Sequence, residues 1–311
     1  MTGVFFRWMV SSVFYLLYTV AVLGGLLWYL FPDEAVRSWV TARLNGFDSE
    51  LQWKIDDLAL AFPPGVVAFG IHVNDRGEET SLLQVDRLQV TPDILQLVRR
   101  DGYRGKYQLE MLSGAVTGEV KFVNIASPIE LDGHFEELKI EQWQELPQML
   151  QRRITGNLSG RFTYTGPWRS PVQGVLKSDL LLEKGRITFQ QPVLGLEHLD
   201  YVRISTACML EEGKFFFEQG RMDAKSLAGD FEGTVQPATD LLESVLELQG
   251  SLEPRPELFA GITDEMTAEL IRSQLKEGHL PFTVRGSLRE PGILFNGLSV
   301  ELDTSARQGA Q

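Results

Sequence analysis

Apolar and polar residues alternate with a period of two along most of the chain after residue 50. The run 67–73 shows this pattern clearly, and the turn signal NDRG follows it at 74–77. Further alternating runs continue as far as 292–295, with short turn signals between them. Parallel strands need long crossover connections, so short turns between successive strands predict antiparallel pairing. The pattern therefore predicts a mainly β body.

Glycines recur inside these predicted strands in a loose Gly-x-(apolar)-x-Gly theme. The theme is visible at 114–118 and again at 156–160. Glycine weakens a strand, but it permits bulges and close approach of a neighbouring backbone. We therefore expect one long antiparallel sheet that curves and twists, accompanied by a few short helices.

Four stretches of the body show helical rather than strand patterns, and the shortest, 94–100, is predicted as a helix from the Pro-Asp pair before it and the glycine after it. The segment DEAVRSWVTARLNG (33–46) reads as a short amphipathic helix that ends at its Asn-Gly pair. The segment 264–276 is the clearest helix, since an aspartate precedes it and a glycine follows it. The segment 138–153 is helix-like but is interrupted by Pro147.

The N-terminal segment WMVSSVFYLLYTVAVLGGLLWYLFP (8–32) contains no charged residue. As a helix it would span about 37 Å, which exceeds the roughly 30 Å hydrocarbon layer of a bilayer. Trp8 lies at one end, and Trp28 with Tyr29 at the other, where interfacial aromatic residues are expected. Pro32 then ends the helix. The segment predicts an uncleaved transmembrane anchor.

A cleaved signal peptide is the competing interpretation of this segment. Its apolar region would cover about 7 to 15 residues and precede an A-x-A-like site. The observed run is longer and has bulky residues at its far end, which favours the anchor. The flanking charges do not decide the orientation, because Arg7 precedes the segment while Arg37 and Arg43 follow it.

The body of the protein is strongly acidic. The chain carries a net charge of −13, and residues 1–32 contribute only Arg7 to it. Such a body repels phosphate backbones and anionic lipid headgroups. We therefore expect neither nucleic-acid binding nor broad electrostatic adhesion to a membrane.

Catalytic and metal-binding patterns are missing from the sequence. None of the four histidines lies at metal-ligand spacing from another, and no nucleotide-binding or nucleophile motif occurs. The single cysteine, Cys208, lies in a predicted strand and rules out an intramolecular disulfide. We expect a protein that is not an enzyme and that has no cofactor or metal.

The remaining candidate site is the apolar face of the predicted sheet. Alternating strands give the sheet one apolar and one polar face, and few helices are predicted to cover it. Two outcomes stay open: a hydrophobic trough that a partner or lipid occupies, or a sheet that folds on itself and fills that face. The residues expected to line a trough are Leu158, Phe162, Tyr164, Leu180, Leu182, Ile187 and Phe189.

Four stretches of the body share the texture of glycine-punctuated strands. They are GNLSGRFTYTG (156–166), VLKSDLLLEKGRITFQ (175–190), CMLEEGKFFFEQGRMDAKSLAGDFEGTVQ (208–236) and SVLELQGSLEPRPEL (244–258). With the apolar N-terminal segment before them, they resemble the type II secretion system protein N (GspN) family. The closing stretch VRGSLREPGILFNG (284–297) resembles the strand pair near the end of that family and of the related AsmA-like proteins.

This resemblance implies a bacterial inner-membrane protein with a single span and a body in the periplasm. It implies a non-catalytic accessory role in type II secretion, with the inner membrane and other components of that system as partners. The AsmA-like relationship implies a trough-shaped curved sheet, and lipid binding or lipid transfer is the alternative function.

The resemblance and the patterns together divide the chain into four parts. Residues 1–32 are the cytoplasmic tail and transmembrane anchor, and residues 33–50 a juxtamembrane helix. Residues 51–298 are the β-rich periplasmic domain of AsmA/GspN type. Residues 299–311 are expected to form a flexible tail.

Overall fold

The structure, a computed structural model, describes most of the body of the chain. The described residues are 15, 18, 19, 22, 25, 26, 32–46, 51–61, 65–75, 81–94, 96, 102–124, 127–150, 152–168, 170–238, 241–262 and 265–295. Within this part of the chain, no helix is both long enough and apolar enough to cross a membrane. Most of the anchor predicted at 8–32 and all of the tail predicted at 299–311 lie outside the described residues.

The described residues form fourteen strands in one open, curved sheet. Every strand pairs antiparallel with its neighbours in sequence, so the order in the sheet is the order in the chain. The strands are β1 Leu51–Ala61, β2 Gly65–Asp75, β3 Ser81–Pro92, β4 Tyr103–Met111, β5 Gly114–Phe122, β6 Ile129–Lys139, β7 Ile154–Gly166, β8 Val175–Val193, β9 Leu196–Glu211, β10 Lys214–Ala224, β11 Leu227–Gln236, β12 Val245–Pro254, β13 Leu280–Ser287 and β14 Pro291–Phe295. The mainly β, antiparallel prediction is confirmed.

Four short helices have bounds within the described residues, and the helix predicted at 94–100 lies mostly outside those residues. The four helices are α1 Asp33–Asn45, α2 Leu146–Leu150, α3 Pro256–Gly261 and α4 Glu265–Gln274. The helices predicted at 33–46 and 264–276 are confirmed to within two residues at each end. Helix α3 is not visible in the sequence pattern, because six residues are too few to show a helical period.

The helical prediction for 138–153 is wrong for most of that segment. Strand β6 continues to Lys139, and a 3₁₀ turn, Ile140–Gln142, and the single turn of α2 follow it. Tertiary pairing overrides the local pattern here, because Leu138 lies opposite Leu158 in the sheet. The indole N–H of Trp143 also donates to the Leu82 carbonyl oxygen at 3.0 Å, which ties this connection to β3.

Two hydrophobic clusters lie at opposite ends of the strand order. Near the first strands, Val40 and Leu44 of α1 pack against a buried cluster that contains Ile55, Ile71 and Val85. At the other end, α3 and α4 cover part of the apolar surface of β8 to β14. Leu258, Ile271 and Leu280 are there almost inaccessible, with 0%, 1% and 0% exposure. The helices therefore cover the two ends of the sheet.

A bulge bends the longest strand, β8, near its middle. Lys184 has a positive φ of 53°, and the pairing with β7 shifts register between Thr155 and Asn157. Gly185 adjoins this bulge, where the hydroxyl of Tyr201 lies in the space that a side chain would occupy. That hydroxyl donates to the Thr155 carbonyl oxygen across the sheet. Residue 185 is a glycine because the Tyr201 hydroxyl occupies the position that a Cβ would take there.

The apolar face of the sheet as the candidate site

Directly opposed residues in an antiparallel pair project to the same face of a sheet. Following the register across the strands therefore shows which residues share a face. One row crosses all fourteen described strands without a charged residue. It consists of Leu60, Val66, Val90, Tyr107, Gly118, Gly133, Phe162, Ser178, Cys208, Phe217, Gly233, Leu248, Val284 and Ile293. We call the surface that carries this row the apolar face.

The parallel rows on the apolar face have the same character. One contains Leu158, Leu182, Ile204, Met222, Gly229, Leu252 and Leu280. Another contains Val120, Leu131, Tyr164, Leu176, Leu210, Phe215, Val235 and Leu246. The hydrophobic surface is therefore continuous from strand to strand and does not consist of isolated patches.

The opposite face of the sheet is polar and carries both signs of charge. A typical row there runs Gln108, Thr117, His134, Arg161, Asp179, Ala207 and Glu218. Ion pairs join neighbouring strands on this face, such as Arg87 with Glu110 at 3.4 Å and Arg203 with Glu183 at 3.4 Å. Exposed pairs of this kind contribute little to stability, but they keep this face hydrated.

Hydroxyl groups on the apolar face donate to backbone carbonyl oxygens of the sheet itself. Tyr107 donates to Asp132 at 3.3 Å, and Ser178 donates to Arg161 at 2.9 Å. Burial, with the nearby Asp132 carboxylate, raises the pKa of Tyr107 to about 12. The phenol therefore stays neutral at physiological pH. The apolar face thus carries hydroxyls that are satisfied within the sheet and add no charge.

Aromatic side chains on the apolar face lie across glycines of the neighbouring strand. Phe162 is opposed to Gly133, and Phe135 is opposed to Gly160, so the two rings cross the β6–β7 boundary side by side. Their centroids are 6.3 Å apart. A Cβ added at Gly133 would lie 3.0 Å from the Phe162 ring, and one at Gly160 would lie 2.7 Å from the Phe135 ring. Because these recurring glycines have no side chains, they leave the space that the two rings occupy.

The described helices cover the two ends of the apolar face and leave its centre uncovered. Tyr107, Phe162 and Phe217 belong to neither hydrophobic cluster of the described residues. Each of them is half-buried. In the part of the chain that the structure describes, the ends of the apolar face are therefore filled by the protein's own helices. The centre of that face is an open surface.

All seven residues predicted to line a trough project to the apolar face, but the structure separates them into three groups. Leu158, Phe162 and Leu180 are half-buried and lie in its central part. Three others, Leu182, Ile187 and Phe189, pack against the buried cluster beneath α3 and α4. The seventh, Tyr164, is only 8% exposed, and its hydroxyl donates to the carbonyl oxygens of Pro167 and Pro171, both at 3.2 Å.

The strand register adds central residues that the sequence reading did not select. Tyr107, Phe135, Phe217 and Leu248 continue the surface around Phe162 on both sides. The alternation around each of them was visible, but only the register shows that they face the same way. The residues predicted for the membrane interface, Trp8, Trp28 and Tyr29, lie outside the described residues.

Reactive groups are sparse on the described surface. Across the described residues, no group of three or more His, Cys, Asp or Glu side chains is placed to hold a metal ion. Cys208 is 7% exposed on the apolar face, and burial raises the pKa of its thiol. A buried thiol with a raised pKa is a poor nucleophile, because the thiolate is the reactive form. The arrangement is suited to binding apolar groups by contact.

No protein-family model, no curated protein and no solved structure matches this chain.

Proposed function

We propose that the protein is a non-catalytic accessory component of a bacterial type II secretion system, anchored in the inner membrane by residues 8–32 with its body in the periplasm. The proposal rests on the resemblance of the glycine-punctuated strands to the GspN family. The single structural observation that supports it is the antiparallel sheet with an uncovered apolar centre, a surface suited to binding and not to catalysis.

Deleting the gene is expected to lower the secreted fraction of a type II substrate and to leave that substrate in the periplasm. Two variants on β7 make a matched pair for complementation, because Phe162 faces the apolar side and the adjacent, exposed Thr163 faces the polar side. We expect Thr163→Glu to restore secretion and Phe162→Glu to fail, with both proteins present at equal levels by immunoblot.

Normal secretion in the deletion strain would overturn this role. A gene that lies away from those for the secretion ATPase, the secretin and the pseudopilins would count against it as well. Equal complementation by both variants would leave the secretion role in place but would separate it from the apolar face.

A second candidate function is lipid binding on the apolar face, as in AsmA-like proteins. The observation that favours it is the row of uncharged residues that crosses all fourteen described strands, because an acyl chain needs a long surface without charges. At about 25 cal/mol per Å² of apolar area removed from water, an acyl chain lying along this row would gain several kcal/mol. Lipid and protein partners are alternative occupants of the same face.

A photo-crosslinking amino acid at Phe162 is expected to capture lipid in living cells, whereas the same group at Arg161 should not. The two residues are adjacent on β7 and project to opposite faces. The two probes therefore occupy the same place along the strand and differ only in the face of the sheet that they sample. Adducts are identified by mass spectrometry of the purified protein. Lipid on neither position, with further probes at Leu158 and Leu180 also empty, would contradict lipid binding; protein adducts at Phe162 would favour the first proposal.

A further inference from the structure

Helix α1 has one side that is firmly attached to the sheet. Val40 and Leu44 pack on the buried cluster of the first strands. The Asn45 side chain holds both backbone groups of Trp53, since it donates to the Trp53 carbonyl at 3.1 Å and accepts from the Trp53 N–H at 2.6 Å. Arg37 donates to the Asp56 carbonyl oxygen further along β1. The helix is therefore fixed against the outer edge of β1.

The other side of α1 carries a large exposed aromatic residue. Trp39 is 67% exposed, although indole is among the side chains with most to gain from burial. Ala35, Ser38 and Ala42 are also exposed and lie on the same side of the helix by their spacing. Arg43, four residues after Trp39 and also exposed, is the charged residue on this side of the helix. Trp39 therefore lies on the side of α1 that faces away from the sheet.

The position of α1 in the chain indicates what meets this outer side. The helix begins at Asp33, directly after Pro32, where the uncharged segment 8–32 ends. Tryptophan favours the lipid–water interface, where its ring lies at the level of the headgroups. The four charges of α1 are two acidic and two basic, so attachment by net charge is not involved.

We propose that the outer side of α1 lies on the lipid–water interface, with Trp39 at headgroup depth, and that this contact holds the β1 edge of the sheet beside the bilayer. The inference rests on the anchor in the proposed function. It adds that the body has a fixed orientation relative to the membrane and is not held only by a flexible tether. Because Asn45 and Arg37 attach the helix to β1, the helix transmits its orientation to the sheet. The first strands of the apolar face then adjoin the membrane.

The distance between Ala42 and Pro32 makes this arrangement testable. If α1 pointed straight away from the membrane, Ala42 would lie about 15 Å above the interface, because a helix rises 1.5 Å per residue. If α1 lies flat, Ala42 is at the interface. Since Cys208 is the only cysteine, a Cys208→Ser background allows one fluorophore at a time, at Ala42→Cys, Val22→Cys or Lys177→Cys, in the full chain reconstituted in phospholipid nanodiscs.

Quenching by spin-labelled phospholipid reads the depth of each fluorophore. We expect several-fold stronger quenching at Ala42 by headgroup-labelled lipid than at Lys177, which is exposed on the polar face of the sheet. Replacing Trp39 with serine should weaken the quenching at Ala42, and Val22 should be quenched by lipid labelled on its acyl chain in either background.

Three results would overturn the inference. Quenching at Val22 without quenching at Ala42 leaves the anchor in place and excludes the interfacial helix. Equal quenching at Ala42 and Lys177 shows that the body has no fixed orientation. Absence of quenching at Val22 and Ala42 alike removes the anchor and the inference together.

Discussion

Gly118→Ala is expected to prevent stable folding of the sheet, with a loss of about 3 kcal/mol or more in the free energy of unfolding. A Cβ at this position would meet the Asp132 carbonyl oxygen and would lie 2.8 Å from the Gly133 Cα. These are backbone atoms of the paired strand β6, so no side-chain rotation relieves the overlap. Denaturant unfolding of the purified protein, or loss of soluble protein on expression, measures the effect.

A second strand glycine provides the control for this substitution. Gly292 of β14 has one neighbour near its would-be Cβ, the Arg285 carbonyl oxygen at 3.3 Å. Since β14 pairs on one side only in the described sheet, it has room to shift by a few tenths of an ångström. Gly292→Ala should therefore change stability by less than about 1 kcal/mol. Equal losses at Gly118 and Gly292 would contradict the steric explanation, since the backbone entropy of the unfolded chain falls equally in both variants and by itself favours the folded state.

Ile271→Ala is expected to lower the free energy of unfolding by about 3 kcal/mol. Ile271 lies on α4 with 1% exposure, in the cluster that contains Leu280 and Phe295, and its truncation leaves a cavity between the helix and the sheet. Its neighbour Leu270 is 43% exposed on the same helix. Leu270→Ala should change the free energy of unfolding by less than about 0.5 kcal/mol.

Thermal unfolding of both α4 variants distinguishes a structural cover from a loosely attached one. A large loss for Ile271→Ala with none for Leu270→Ala indicates that α4 is part of the folded core. Small losses for both would mean that α4 detaches from β13 without unfolding the sheet. The covered end of the apolar face would then be open to the same occupants as its centre.

The contrast between covered ends and uncovered centre gives the two proposals their shared physical basis. A hydrophobic surface that a protein needs only for its own stability is normally covered by its own chain. Here α1 and α4 supply that cover at either end, while Tyr107, Phe162 and Phe217 belong to neither cluster. Their half-exposed rings represent apolar area that is available to another molecule.

Much of the sheet could be predicted from the sequence because the period of two is a local property of each strand. The alternation at Leu158, Phe162 and Leu180 indicates one face, and the structure places all three on it. The helix at 138–153 could not be excluded locally. Its residues have a helical pattern, and only the pairing of Leu138 with Leu158 draws the first of them into β6.

The recurring glycines also show the difference between what a local pattern predicts and what strand pairing decides. Its spacing indicates bulges and close approach, but not which rings occupy the space. Phe135 lies over Gly160, and Phe162 over Gly133, because β6 and β7 pair in one particular register. A shift of one residue would send both rings to the polar face.

The sequence by itself determined the strands, their antiparallel order, the acidic charge and an apolar segment at 8–32, because each of these depends on neighbours along the chain or on composition. Only the tertiary structure decided that the apolar residues form one row across the fourteen described strands, that Tyr164 and Phe189 are covered, and that Trp39 faces away from the sheet. Register and helix docking join residues far apart in the chain, and a local pattern carries no information about such distant pairs.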